Sequence, residues 1–482
     1  MKLLFATSEM APFAKVGGLA DVSQSLPIAL SKLGVDIRVI LPAYSTVNDV
    51  ELNLVQITHP FKIRIHDETI EVILLEARGF PVKVYFVDAP YFFERIGIYG
   101  PNPSEGFKDN LERYTLFCKA VIISIRKLGW EPDIIHLNDW QTALIAAYLK
   151  TARYKHIGSL LTIHNLAFPG DFPLENKDVM SLDDQIFPPK TYDFFGKISL
   201  LKLGIVNAGR INTVSSGYRE ETLAGGANGA GLEDALQKRK KQYYGILNGV
   251  DYEIWSPKDD PYIAHKFSSD WHGFKHMNKM DLVKECQFLK TSEYQPVIGM
   301  VGRLVHQKGI EILLKVIEQI HDMGFLLVVL GTGDMKFEKR MAFLNDNLLV
   351  NVFYDSSFNE KLAHKIYAGS DIFLMPSMYE PCGLSQIIAM RYGAVPVVRD
   401  VGGLKDTVEQ FDPETGEGCG FKFSDFSGEA LLNALKEALN AYMNPAIWRK
   451  IVENAVNINF SWSNSAKKYL TVYQDIMREK NG

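Results

Sequence analysis

Arg303 and Lys308 stand in "GRLVHQKG", a short loop between an apolar run and a helical pattern. Two cations beside a helix N-terminus suit a diphosphate, and arginine can bind one bidentately. Two solvated surface charges are the plainer alternative. Glu380 lies in "MYEPCGLSQ", just ahead of an apolar helix pattern. A helix N-terminus favours negative charge, so Glu380 either caps its own helix or grips a ligand that also meets the N–H groups of Cys382, Gly383 and Leu384. Lys15 precedes two glycines in "EMAPFAKVGGLADV", where a backbone can approach a ligand closely. Taken alone, that stretch reads more simply as a tight strand–helix turn with a solvated lysine. Asp139 and His164, with Asn138 and Asn165, fall in "HLNDWQT" and "LTIHNLAF". Each alone reads as a helix cap or a satisfied buried histidine; polar clusters at two strand ends also fit an active site. The chain has no Asp-x-Asp pair of the kind that holds a divalent metal on a nucleotide diphosphate. Arg303 and Lys308 would then take a metal's place on the leaving group.

The elements that position these residues are legible as alternating apolar runs and helical patterns. "KLLFAT", "VDIRVIL", "VKVYFVD", "DIIHL", "SLLTIH" and "RINTV" read as buried strands of a first half. "PVIGMVG", "FLLVVLG", "NVFY", "DIFLMP" and "VPVV" repeat the pattern after Asn248. Over 308–321, Ile310, Leu313, Leu314, Ile317 and Ile320 share one helix face. Strands apolar throughout and separated by helices imply parallel sheets covered on both faces. Ligands of such sheets bind at the carboxyl ends of the strands, where every candidate above falls. The 482 residues suffice for two or three domains. The expected division is an N-terminal domain over 1–250 and a second over 251–460, with a final helix over 461–482 returning to the first. "LAGGANGAG" reads as a mobile loop, and the basic run Lys238 to Lys241 as a solvated helix face.

Composition narrows the function. The chain is 47% hydrophobic and 23% charged, with a formal net charge of -5. That balance gives no reason to expect nucleic acid. The four cysteines are far apart and lack Cys-x-x-Cys spacing, which speaks against a disulfide scaffold or a zinc site. No apolar stretch approaches the length of a bilayer span, and the start is too short and too broken for a signal peptide. The expectation is a cytoplasmic enzyme without membrane association. A nicotinamide-dependent oxidoreductase would need a G-x-G-x-x-G turn after the first strand, and none is there.

Taken in order, "KVGGLADV", "HLNDWQTAL", "TIHNLAFPG", "LNGVD", "IWSP", "GRLVHQKG", "EPCGLSQ" and "GGLKDTV" resemble the bacterial glycogen synthases and plant starch synthases. The resemblance spans nearly the whole chain. It implies a GT-B architecture, two doubly wound Rossmann-like α/β domains facing across a deep cleft whose closure would exclude water. It further implies metal-independent, cofactor-free transfer of glucose from ADP-glucose to the non-reducing end of an α-1,4-glucan, with retention of configuration. A related transferase using UDP-glucose or another acceptor is the alternative. By the resemblance, Lys15, Gly18 and Asp21 lie by the donor phosphates and sugar. Asp139, His164 and Asn248 approach the transferred glucose, a backbone carbonyl at the His164 position facing the anomeric carbon. Arg303 and Lys308 hold the diphosphate with Thr407 near it, and Tyr354 stacks on the base. Glu380 and the backbone at Cys382, Gly383 and Leu384 hold the glucose hydroxyls. Many retaining GT-B enzymes carry a second Glu eight positions after the first, for the ribose; here that residue is Ile388.

Overall fold

The computed structural model describes residues 1–50, 53–102, 105–151, 153–288, 294–347, 351–357 and 359–481. The chain forms two compact units, Met1–Gly249 with Trp462–Gly482, and Val250–Ser461.

In the first unit the strands are β1 (Lys2–Ala6), β2 (Asp36–Pro42), β3 (Asn53–Gln56), β4 (Phe61–Ile65), β5 (Glu68–Arg78), β6 (Lys83–Asp88), β7 (Ile134–Asn138) and β8 (Gly158–Ile163), then β9 (Asp171–Pro173), β10 (Asp193–Phe194), β11 (Lys197–Ser199), β12 (Arg210–Thr213) and β13 (Tyr243–Gly245). The main sheet has the order β13-β12-β8-β7-β1-β2-β6-β5-β3, with β4 paired to β5. Seven of its strands are parallel and reverse order between β1 and β7, so the ends of those two strands flank a crevice site. The all-parallel expectation fails at one edge, where β3, β4 and β5 pair antiparallel. The cause is visible in β4: Phe61, Ile63 and Ile65 are buried while Lys62 and Arg64 are exposed, the alternation of a half-solvated strand. β9, β10 and β11 form a separate antiparallel sheet.

The helix Trp462–Asn481 belongs to this unit and is anchored to its sheet by buried polar groups. The Tyr473 hydroxyl lies 2.7 Å from His136 Nδ1, and His136 Nε2 lies 2.6 Å from Thr162 Oγ1. Thr162 bonds Asn212, whose amide donates to the Tyr469 hydroxyl. Three strands and one helix thus share a single network, which fixes the pairing more narrowly than apolar contact would. Within the basic run, Arg239 is not a solvated charge. Its guanidinium donates to the carbonyls of Ile205, Val206, Ala208 and Gly209, at and just beyond the end of the helix Leu200–Asn207.

The second unit holds β14 (Val297–Val301), β15 (Leu326–Leu330), β16 (Val352–Asp355), β17 (Ile372–Met375), β18 (Val395–Arg399) and β19 (Phe421–Phe423). Their order, β16-β15-β14-β17-β18-β19, is parallel throughout and reverses between β14 and β17. Alternate residues face opposite cores: Ile298, Leu327, Leu374 and Val397 on one side, Val297, Val328, Phe373 and Val398 on the other. The amphipathic helix starts at Ile310 rather than 308, because His306–Lys308 is a separate 3₁₀ turn.

Replacing Tyr473 with Phe strands a buried His136 nitrogen. The expected cost is about 1–3 kcal/mol, read as an earlier denaturant midpoint with an unchanged slope.

Candidate active site

In the first unit the β1 end is organised by a carboxylate. Glu9 is buried; its Oε2 accepts the Val16 and Gly17 N–H groups at 2.8 and 2.9 Å, and its Oε1 accepts the Tyr99 hydroxyl at 2.5 Å. Burial raises the Glu9 carboxyl above the ordinary range against these bonds, and a nearby Asp21 adds to the rise. Two amides of the glycine turn are therefore already occupied, and exposed Gly18 opens the helix Gly18–Lys32. Lys15 is ion-paired to Asp21 at 2.7 Å, both half-exposed.

Next to it, β7 ends at Asn138, and Asp139 opens the helix Asp139–Tyr148. The backbone of Asp139 is left-handed, with φ +54, a conformation that costs an ordinary residue on the order of 1–3 kcal/mol and persists where the surroundings enforce it. Its carboxylate is not a helix cap: Asn138 occupies the cap position, and its side chain accepts no cap bond from the first turn. Instead Asp139 Oδ1 accepts the His164 N–H at 2.7 Å, and the Asn165 N–H also bonds the carboxylate. Both amides flanking His164 are thus held by one side chain. Burial pushes the Asp139 carboxyl up to about 7, partly offset by those amides. Burial also depresses His164, to about 3, so its imidazole is neutral near neutral pH. Asn138 Nδ2 donates to Ala6 O, so its Oδ1 must accept from His164 Nε2, 2.9 Å away, which sets the tautomer. Asn248 is also buried in this unit, and among the described residues its Oδ1 has no hydrogen-bond partner.

In the second unit the loops after β14 and β17 are pressed together. A Cβ on Gly309, at φ +72, would lie 1.9 Å from Pro376 O, so only glycine fits there. Met378 N donates to Gln307 O at 2.8 Å. Lys308 Nζ lies 2.5 Å from Glu380 Oε2, which also accepts the Ser377 hydroxyl at 3.1 Å. The capping alternative for Glu380 is thereby answered: the helix Ser385–Arg391 has Leu384 at its cap position and no side-chain cap bond. Arg303 is exposed and, among the described residues, has no ion pair or side-chain hydrogen bond. Of the two cations, one is neutralised and one is uncompensated. Cys382, Gly383 and Leu384 follow Glu380, and Thr407 is buried at the end of the helix Gly402–Thr407. Tyr354 is half-buried on edge strand β16; its hydroxyl donates to Gly331 O at 3.2 Å, and desolvation pushes that phenol up to about 12. Ile388 is part of the apolar core. Among the described residues, no group of three His, Cys, Asp or Glu side chains is placed to hold a metal ion.

Glu9 and Gln386 organise this geometry and were not among the expected site residues. Glu9 had a signal, a carboxylate directly after a buried apolar strand. Gln386 had none beyond its place after "EPCGLS".

Residues 2–238 match the family model described as starch synthase catalytic domain, and 284–455 match glycosyl transferases group 1. Glycogen synthase of Geotalea daltonii is 41% identical over 100% of both chains. The family is settled by that match. This chain belongs to the glycogen synthase family. Glycogen synthase of Caldicellulosiruptor bescii is 42% identical over 99% of this chain and 100% of its own. The catalytic domain of starch synthase IV from Arabidopsis thaliana, solved bound to ADP and acarbose, superposes with a TM-score of 0.90 at 30% identity, covering 99% of each chain. The fold is that of the GT-B glycosyltransferases. Membership carries the activity: this glycogen synthase family member is a glycosyltransferase that extends a glucan from a nucleotide-sugar donor. Among the described residues no helix is long and apolar enough to cross a membrane.

The Asp139 carboxyl gives a stability signature. Its folded value of about 7 exceeds the ordinary 3.8, so its contribution is complete below pH 3.8 and is lost as pH rises towards 7. Asp139→Asn keeps an acceptor oxygen and cannot ionise. The melting temperature of the variant relative to wild type should climb across that window and level off above pH 7. A constant difference from pH 4 to pH 8 would contradict the shift.

Proposed function

We propose that the protein transfers glucose from ADP-glucose to the non-reducing end of an α-1,4-glucan with retention of configuration and without a metal ion. The observation that carries this reading is the second unit's switch point, where an uncompensated Arg303 stands in the same loop as the Lys308–Glu380 pair. Breaking the anomeric C–O bond places positive charge on the sugar and negative charge on the departing diphosphate. Arg303 and Lys308 meet the second, with arginine able to engage two phosphate oxygens at once. Glu380, with the backbone of Cys382, Gly383 and Leu384, receives the glucose hydroxyls and opposes the first. Tyr354 offers a ring to the base, and Lys15, Gly18 and Asp21 serve the donor from the β1 loop.

Retention follows from same-face attack, in which the leaving phosphate takes the proton of the incoming 4-hydroxyl. The His164 carbonyl would face the anomeric carbon. Support comes from Asp139, which holds the amides on both sides of His164 and so orients the peptide that carries this carbonyl. The unpartnered Asn248 Oδ1 is an acceptor suited to a sugar hydroxyl.

The test is nucleotide release with glycogen and either ADP-glucose or UDP-glucose. Release from ADP-glucose should dominate and survive EDTA; a preference for UDP-glucose, or rescue of a chelated enzyme by magnesium, would overturn those parts. Arg303→Ala should lower turnover about a hundredfold or more, as losses of oxyanion donors do. Turnover within about threefold of wild type would remove Arg303 from the leaving group. Tyr354→Ala should raise the donor KM more than it lowers kcat, because a ring on the remote base acts equally in ground and transition states. A collapse of kcat at saturating donor would exclude the stacking role.

A further inference from the structure

Gln386 is fully buried, four positions past Cys382. Its Nε2 lies 3.1 Å from Cys382 O, 2.9 Å from Gly383 O and 3.1 Å from Thr407 Oγ1. The Thr407 hydroxyl in turn donates to Gly403 O at 2.7 Å, and Gly403 N donates to Glu380 O at 2.9 Å. One carboxamide therefore links the turn after Glu380 to the helix Gly402–Thr407, and the linkage closes on the backbone of Glu380 itself. The amide can point only one way, because reversal would set Oε1 against two carbonyl oxygens. Among the described residues Oε1 has no partner, so the Nε2 bonds alone hold the group. The space is equally constrained. A Cβ on Gly403 would sit 2.2 Å from Cys382 O, and one on Gly383, at φ +72, would sit 2.4 Å from Gln386 Oε1. Thr407 is 3% exposed with its hydroxyl engaged as donor and acceptor, which leaves it serving the protein rather than a ligand.

We propose that Gln386 is a positioning residue for the donor sugar. Through Thr407 it sets the Cys382–Gly383–Leu384 turn at a fixed place relative to Glu380, without touching the substrate. The inference rests on the function proposed above, in which that turn and Glu380 receive the glucose hydroxyls.

Gln386→Met keeps length and bulk and removes the donors. Its donor KM should rise about tenfold or more with a fall in kcat, while the KM for glycogen stays within about twofold. Thr407→Val should reproduce the pattern, Thr407→Ser should restore wild-type kinetics, and the double variant Gln386→Met/Thr407→Val should be no worse than its worse single parent. Leu435→Ala, at a fully buried position of the same unit, controls for lost stability and should leave the donor KM unchanged. Wild-type donor KM in Gln386→Met, equal defects in Leu435→Ala at a matched melting temperature, or failure of Thr407→Ser to restore activity would each overturn the proposal. Should Gln386→Met not fold, the Thr407 pair decides. Whichever nucleotide sugar the wild type uses best serves as donor. A wrong donor assignment then shows in the wild type, and a wrong assignment of Gln386 shows only in the ratio of variant to wild type.

Discussion

The 2.5 Å contact between Lys308 and Glu380 is the constraint on which the second unit's site depends. Both side chains are largely buried, and removing one member of such a pair typically costs on the order of 3–5 kcal/mol, because the other charge is left without a partner. The pair joins loops from β14 and β17, the neighbours between which strand order reverses. The same two loops meet where Gly309 packs on Pro376 O and where Met378 bonds Gln307. Glu380 is consequently held in place by the protein itself, through its Oε2 contacts with Lys308 and Ser377.

The first unit reaches a comparable rigidity by different means. At its own switch point the carboxylates of Glu9 and Asp139 accept backbone N–H groups instead of pairing with a cation. Burial raises both carboxyls, and the N–H groups they accept offset only part of that rise. The left-handed backbone of Asp139 belongs to the same arrangement: the turn is contorted so that its carboxylate reaches the amides around His164. Asn138 completes it, donating to Ala6 O on β1 with one end and accepting from His164, just past β8, with the other.

How much of this was legible depends on how local each signal is. Strands such as β7 and β15 are buried on both faces, so they print as continuous apolar runs that any reading finds. The β3–β5 edge was missed because its evidence is alternation, "FKIRI", which competes with the charged pattern of a surface loop. Loop residues after strands could be singled out, since a doubly wound sheet presents ligands there. Their partners could not: Lys308 and Glu380 are 72 positions apart, and only the register of β14 beside β17 brings them together. Arg239 shows the same limit in a basic run, where one cation of four turned inward to satisfy carbonyls. Gln386 is the extreme case. It is a polar residue inside an apolar helix pattern, whose meaning exists only once two glycine turns lie backbone to backbone.

These pairings also sort the charges. Within "KVGG" and "GRLVHQKG", Lys15 is balanced by Asp21 and Lys308 by Glu380, whereas Arg303 has no counter-charge among the described residues. A balanced pair contributes little long-range field and mainly fixes geometry. An uncompensated guanidinium contributes field, and at an exposed position such as that of Arg303 the field acts at short range because solvent and salt screen it. The difference separates the tasks of the two cations in "GRLVHQKG". Lys308 fixes Glu380 and is itself already paired by that carboxylate. Arg303 keeps its positive charge uncompensated, and a guanidinium's planar fork can meet two oxygens of an anion at once in a way a lysine ammonium does not. One cation cannot at once neutralise a buried carboxylate and keep an uncompensated charge, so in the function proposed above the two residues of this loop are not interchangeable.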